Sequence, residues 1–383
     1  MEWNQNIREF VQSSEKDLLS LLESLCAIPA PSGNEYARAE FCRNWLAEAG
    51  ADGVYIDEAL NVVYPVNCDG AKEITVFCAH TDTVFPDTEP MPYIDDGTKI
   101  HCPGVGDDTA SLAILMMAVK FMIKRAAKAQ SGVLFVCNSC EEGLGNLKGT
   151  RKIMEQYGDR VTQFISFDSA RPYINHICVG SHRYEVCVRT EGGHSFQKFG
   201  NASAVHELSK IVNAIYDIKV PEIDGSRTTY NVGIISGGTS VNTIPQEAHA
   251  LCEYRSDNAE CLEIMREKFA HIFQAAQRDG VEVCVKNIGE RPCARGVDAA
   301  QQRALTADCA DVVQSVTGEE EQFRSASTDC NIPLSMGIPA VSVGVYQGQG
   351  AHTREEWVEK ASLPTGLEIA LKMILKLTGA AEV

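Results

Sequence analysis

The sequence predicts an α/β protein in which a mixed, mostly parallel sheet lies between helices, with a smaller α+β domain inserted into the chain. Three observations carry this prediction. Short apolar runs alternate with helical spacing from residue 74 to residue 168, the pattern of parallel strands joined by crossover helices. From about 180 to 295 the texture changes to period-two strands around amphipathic helices. Apolar strand character then resumes at 339–346, and a last helix follows at 363–377.

Residues 4–25 and 35–49 carry helical apolar spacing, and the Pro29-Ala30-Pro31-Ser32-Gly33 turn between them breaks any continuous helix. The first buried strand is 74–79, followed by a long helix at 110–124, a strand at 133–137, a helix at 147–157 and a strand at 164–167. In such a sheet the functional loops lie at the carboxyl ends of the strands. The inserted segment reads as strand 182–190, helix 202–216, strands 228–236 and 247–255, helix 261–278 and strand 281–288. That β-α-β-β-α-β order is the split βαβ pattern of a ferredoxin-like unit. The predicted main domain is therefore 1–180 with 296–383, and the predicted insertion is 181–295.

With 383 residues, 44% of them apolar, the chain can bury a sizeable core and suits two domains better than one. Its net charge of -18 sets up a field that repels polyanions, which argues against nucleic acid and anionic membrane surfaces as partners. No apolar run approaches a membrane span; the longest, 110–123, is interrupted by Lys120. Residues 1–14 lack the cationic start and apolar stretch of a signal peptide. The 15 cysteines are odd in number, follow no spaced framework and often sit inside apolar runs, which suits reduced thiols in a cytoplasm. Cys137 and Cys140 form a Cys-x-x-Cys that straddles a strand end rather than opening a helix, which argues against redox or zinc-clip use.

The polar residues that follow these apolar runs are the informative ones. His80-Thr81-Asp82 follows the strand 74–79, and residues two apart on extended chain share a face. Asp82 can therefore orient the His80 imidazole, as a supporting carboxylate does for a metal-bound histidine. Asp107 and Asp108 follow Gly104-Val105-Gly106 and open a helix, where one aspartate would suffice as a cap. Glu141 and Glu142 precede Gly143-Leu144-Gly145; beside a metal, one glutamate can coordinate while the other serves as general base. Asp168 ends a further strand, and His352 follows the strand 339–346 after a glycine-rich loop. Each also has an ordinary reading as a strand end, a cap, a solvated pair or a turn residue. Together they put nitrogen and oxygen donors at the ends of successive strands in one α/β layer, which independent turn chemistry does not explain. The pattern points to a metal-assisted hydrolase.

In these segments the chain resembles the dinuclear zinc peptidases and amidases that include peptidase T, carboxypeptidase G, the succinyl-diaminopimelate desuccinylases and the aminoacylases. The resemblance spans nearly the whole chain. His80-Thr81-Asp82-Thr83 matches that family's His-x-Asp segment, Gly106-Asp107-Asp108-Thr109-Ala110 its bridging-aspartate segment, and Cys140-Glu141-Glu142-Gly143 its paired glutamates. The resemblance implies two zinc ions per chain, one on His80 and Asp168, the other on Glu142 and His352, with Asp107 bridging them. It further implies Glu141 as general base, Asp82 in support of His80, and a cis peptide bond between Asp107 and Asp108.

In the insertion, Gly193-His194-Ser195 resembles the family's lid histidine, which in dimers reaches the partner's active site and stabilises the oxyanion. Glu253-Tyr254-Arg255 stands where the family often has Asp-x-Arg, whose arginine grips a substrate carboxylate. Asn242 matches an asparagine near the same pocket. From the residues alone these three read as a loop histidine, a cross-strand ion pair and a turn residue. His101, His176, His182, His206, His249 and His271 gain no role from the resemblance. The chain departs from the pattern at Ala326-Ser327-Thr328-Asp329, where relatives often carry Gly-Gly-Thr-Asp, which leaves the pocket floor open. It also carries Asp168 where carboxypeptidases and deacylases usually carry glutamate, and in this it looks more like the aminopeptidase and dipeptidase branch.

The function so implied is hydrolysis of a peptide bond in a small substrate, by a di- or tripeptide aminopeptidase acting as a cytoplasmic homodimer joined through 181–295. The alternatives are an N-acyl amino acid deacylase or carboxypeptidase with the same metals and, from another class, a non-catalytic metal-binding scaffold, which would have no use for Glu141. Manganese or cobalt would suit the same mixed donors as zinc.

Overall fold

The structure, a computed structural model, describes residues 2–125, 127, 129–320 and 322–380. The chain divides into two compact units: the residues up to Cys178 together with those from Arg295 onward, and Val179–Ala294.

In the first unit an eight-stranded sheet runs, in spatial order, Tyr55–Ile56, Val62–Val66, Gly132–Asn138, Ile74–His80, Val161–Phe167, Ala340–Val343, Tyr173–Cys178 and Gln322–Ala326. Its four central strands are parallel to one another, and antiparallel pairings enter on either side of them. The sheet is thus mixed and mostly parallel, as predicted. Ile74–His80 and Gly132–Asn138 are buried along their whole length, the signature of strands covered on both faces. On one face Phe77 stacks between Phe135 and Phe167, with ring centroids 5.9 and 6.1 Å away, and so ties three neighbouring strands together. Leu22 of helix Glu2–Cys26, Leu115 and Phe121 of helix Ser111–Lys124, and Leu371 of helix Ser362–Thr378 share that core. Ile153 and Met154 of helix Lys148–Tyr157 cover the opposite face over Val76, Leu134 and Phe164. Helix Ser111–Lys124 is buried nearly all round, which is why its sequence is apolar without a polar stripe.

The second unit has the predicted β-α-β-β-α-β order: Gly180–Thr190, Ala204–Tyr216, Thr228–Gly237, Glu247–Ser256, Ala259–Ala276 and Val281–Arg291. Its strands form an antiparallel sheet in the order 228–237, 247–256, 180–190, 281–291. The Ser203 hydroxyl and the Asn258 carboxamide cap the two helices. Val186, Val188, Ala248, Ala250 and Tyr254 alternate along their strands into the core beneath those helices; the other face of the sheet carries no helix of this unit.

The structure adds elements that the periodicity did not mark, chiefly helix Ala299–Thr317 and the short strands at 62–66, 173–178 and 322–326. No described helix is long and apolar enough to cross a membrane, and all 15 cysteines are free thiols.

Candidate metal centre

The four central parallel strands deliver one donor group each from their carboxyl ends. Gly132–Asn138 leads to Glu142, Ile74–His80 ends on His80, Val161–Phe167 is followed by Asp168, and Ala340–Val343 leads through a loop to His352. Asp107 comes from the turn Val105–Ala110 that precedes helix Ser111–Lys124. Neither Asp107 nor Asp108 caps that helix; both leave helical geometry, and the peptide bond between them is cis, as the family resemblance implied.

One potential ligand atom from each of His80, Asp107 and Asp168 lies within 4.8 Å of the others, and the same holds for Asp107, Glu142 and His352. Asp107 belongs to both triads, and its two oxygens divide between them. Oδ1 is 3.0 Å from His80 Nε2, and Oδ2 is 3.0 Å from His352 Nε2. His352 Nε2 is also 3.1 Å from Glu142 Oε1. Nitrogen and oxygen donors converging from both sides on one shared carboxylate fit two adjacent divalent cations of the zinc, manganese or cobalt class.

The electrostatics agree. Burial and the nearby Asp107 charge push Glu142 up to about 7 and raise Asp168 well above the usual carboxylate range. Hydrogen bonds to Asp107 and Glu142 push His352 up to about 11. Burial also works to raise Asp107, but the hydrogen bonds from His352 and His80 outweigh it and hold that carboxylate low. Carboxylates crowded in this way draw positive charge to the site, first as protons on the histidines.

The supporting contacts explain why the geometry holds. The His80 ring nitrogen Nδ1 lies 3.0 Å from the Asp82 carbonyl and 3.5 Å from its carboxylate, which leaves Nε2 turned to Asp107. The Asp82 carboxylate accepts the backbone N–H groups of Glu141 and Glu142, each at 2.9 Å, and the Ser32 hydroxyl at 2.5 Å. One buried aspartate therefore sets both the histidine strand end and the glutamate loop. Asp108 accepts the His80 backbone N–H at 3.0 Å. Glu356 accepts three backbone N–H groups of the bridging turn, from Gly104 at 2.6 Å, Gly106 at 2.9 Å and Asp107 at 2.8 Å. A Cβ on Gly106 would meet Glu356 Oε1 at 2.9 Å, so only glycine lets this carboxylate approach. The buried Arg38 guanidinium donates to the carbonyls of Leu25, Ile28 and Thr81 and joins the first helix to the turn after His80.

Ser32, Arg38 and Glu356 are contributors that sequence reasoning missed. Ser32 was visible only as part of a helix-breaking turn. The one available hint for Glu356 was its place four residues after His352. Asp329, in the segment that departs from the family pattern, accepts Asn138 Nδ2 at 2.6 Å and bonds the Thr150 hydroxyl. Burial and the Glu141 charge push it up to about 7.

The remaining candidate residues lie in the second unit. His194 pairs with Thr243 in a short two-stranded ladder, and the Asn242 carbonyl accepts the Ser195 N–H at 3.0 Å; those two loops are held together. The His194 ring nitrogen Nδ1 accepts the Phe196 N–H at 3.3 Å, which leaves Nε2 to carry the proton. Arg255 is not brought to this pair. It sits at the far end of strand Glu247–Ser256, opposite Ser181, roughly 25 Å along the strand at its usual rise. Its guanidinium is engaged by Glu253 at 2.8 and 3.1 Å, a partner on its own strand rather than across the sheet.

A family model described as "Peptidase family M20/M25/M40" matches residues 76–376. A succinyl-diaminopimelate desuccinylase from Corynebacterium glutamicum is 23% identical over 351 residues, covering 89% of this chain and 91% of that protein. Among solved structures, a tripeptidase from Staphylococcus aureus superposes with a TM-score of 0.76 at 22% identity, over 95% of this chain and 99% of the other. The aminopeptidase PepT from Bacillus cereus superposes with a TM-score of 0.72 at 20% identity, over 94% and 98%.

Proposed function

Because the chain belongs to peptidase family M20/M25/M40 and is a metal-dependent hydrolase, we propose that it cleaves the amide bond of a small peptide, as a di- or tripeptide aminopeptidase. The observation that carries this reading is the Asp107 carboxylate shared between two donor triads, with Glu141 buried next to one of their ligands, Glu142.

In this reading His80, Asp107 and Asp168 hold one cation and Asp107, Glu142 and His352 the other, with zinc preferred. When bound, such a pair lowers the pKa of a coordinated water from about 15.7 toward about 7 and polarises the scissile carbonyl. Glu141 takes a proton from the attacking water and passes it to the leaving amine. Asp82 keeps Glu141 in register through the backbone N–H that it accepts. His194 donates from Nε2 to the developing oxyanion, reaching it from the second subunit of a homodimer formed through the inserted unit. Asn242 positions the loop beside His194, and Arg255 exchanges Glu253 for a substrate carboxylate. Aspartate at position 168 and the likeness to a tripeptidase and an aminopeptidase favour a peptide substrate. The likeness to a succinyl-diaminopimelate desuccinylase favours the second reading, removal of an N-acyl group from an amino acid.

A panel of dipeptides, tripeptides, amino-blocked peptides and N-acyl amino acids separates the two: the first reading requires turnover of free-amino peptides and none of the blocked ones. Glu141→Gln is expected to lose about 10²–10⁴-fold in kcat with its metal content unchanged. Retention of activity within about tenfold would remove Glu141 as the base.

A further inference from the structure

The helix-free face of the second unit's sheet carries sulfur and imidazole donors that amide hydrolysis does not use. His249 stands opposite Cys187 across one antiparallel pair, and Cys187 stands opposite Cys284 across the next. Directly opposed residues share a face, with Cβ atoms about 4.5–5.5 Å apart. The three therefore form a row across three adjacent strands. Val186 and Val188, on either side of Cys187, point into the core beneath the helices, so the row looks the other way. Donor atoms of Cys187, His249 and Glu247 lie within 4.8 Å of one another. His249 Nε2 is 2.8 Å from Glu247 Oε1, whose other oxygen holds Arg189 Nε at 2.8 Å. The Cys284 thiol donates to Glu282 at 3.5 Å. Cys187 is largely buried in the row, whereas Cys284 and His249 are accessible to solvent.

We propose that Cys187, Cys284 and His249, with Glu247 beside them, bind a thiophilic divalent cation, zinc foremost, at a site separate from the centre built on Asp107. Cys284 stands outside the 4.8 Å group of Cys187, His249 and Glu247, and its thiol is turned to Glu282. Once that side chain rotates toward the row, two thiolates, an imidazole and a carboxylate would complete a four-coordinate zinc shell, and sulfur donors select soft cations over the magnesium and calcium that carboxylates alone would take. Each thiol gives up its proton to solvent as a sulfur–metal bond forms, and nothing is oxidised or reduced. Glu247 would let go of the His249 nitrogen and keep Arg189. The donors come from the two inner strands 180–190 and 247–256 and the edge strand 281–291, so the cation would tie that edge to the sheet.

Cobalt(II) tests this directly. Added to the full-length protein in a non-thiol reductant, it is expected to produce a near-ultraviolet sulfur-to-cobalt charge-transfer band whose saturated intensity corresponds to about one thiolate-bound cobalt per chain, in addition to any cobalt that the first unit takes up. The band should vanish in Cys187→Ser combined with Cys284→Ser and weaken in His249→Gln, with hydrolytic activity unchanged. Nitrogen and oxygen donors give no such band, so this readout stands whether or not the first unit binds metal as proposed. Absence of the band from the wild-type protein, which needs no variant to fold, would overturn the proposal. So would its persistence in the double serine variant.

Discussion

Glu356 is the most exposing place to perturb the centre, because its carboxylate is buried and accepts three backbone N–H groups at 2.6, 2.8 and 2.9 Å, one of them from Asp107 itself. Glu356→Ala would leave those three donors without an acceptor. A buried unsatisfied donor costs about 1–3 kcal/mol, and a water entering the new space would relieve part of it. The expected loss is about 3–6 kcal/mol, a large share of the roughly 5–15 kcal/mol that holds a typical fold together. Glu356→Gln separates the contributions. Its one remaining carbonyl oxygen can keep the Gly106 and Asp107 bonds, both made to Oε1, while its NH₂ faces the Gly104 N–H donor to donor, at a cost of about 1–3 kcal/mol. Urea unfolding in chelator, compared across wild type, Gln and Ala, measures that order without metal binding contributing. Competition titration with a metal indicator should then show about 10–100-fold weaker binding in Glu356→Gln, because the turn that aims Asp107 has lost an anchor. Wild-type midpoint and wild-type metal affinity in the Gln variant would refute the reasoning.

Three further outcomes are expected. Arg38→Met leaves the carbonyls of Ile28 and Thr81 without their side-chain donor, while that of Leu25 keeps the Ile28 N–H, and should lower unfolding free energy by about 2–5 kcal/mol in a denaturant titration. Metal affinity should fall as pH is lowered: Glu142 at about 7 and His352 at about 11 both bind protons on the side where metal must bind, so each displaced proton costs roughly tenfold in apparent affinity per pH unit below those values, readable by equilibrium dialysis. His194→Gln should reduce kcat by about 10²–10³-fold while KM changes little, because the donor acts on charge that exists only in the transition state; a rise in KM alone would place His194 in substrate binding instead.

Legibility in the sequence followed burial and length. Strands 74–80 and 132–138 are enclosed on both faces, so their apolar runs survived intact, and the acidic or histidine residue after each stood out against them. The six elements of the second unit were readable because each strand has one face in the core, and the alternation in residues such as Val186, Cys187 and Val188 records it. Helix Ala299–Thr317 was not recognised, since its buried face includes Thr306, Cys309 and Ala310 between Leu305 and Val312 and carries little hydrophobic contrast. Strand Val62–Val66 was hidden by Pro65, which is tolerated because the two-residue neighbour 55–56 has already ended at that point and no ladder needs its N–H. The supporting contacts were the least legible. Ser32 lies 50 residues from Asp82, and Glu356 lies 249 residues from Asp107; only the folded chain makes them neighbours.

The order of the donors along the chain has a consequence for how such a protein can change. His80, Asp107, Glu142 and Asp168 precede the Val179–Ala294 unit, and His352 follows it, so none of the candidate ligands of the centre built on Asp107 is spent on the inserted segment. Loop-closure entropy grows only logarithmically, by about 0.6 kcal/mol for each doubling of length, and the thermodynamic burden of that excursion hardly depends on how long it is. The inserted unit can change in length over evolutionary time around the few residues that it would lend the reaction, His194 among them, while the donors of the Asp107 centre are inherited unchanged.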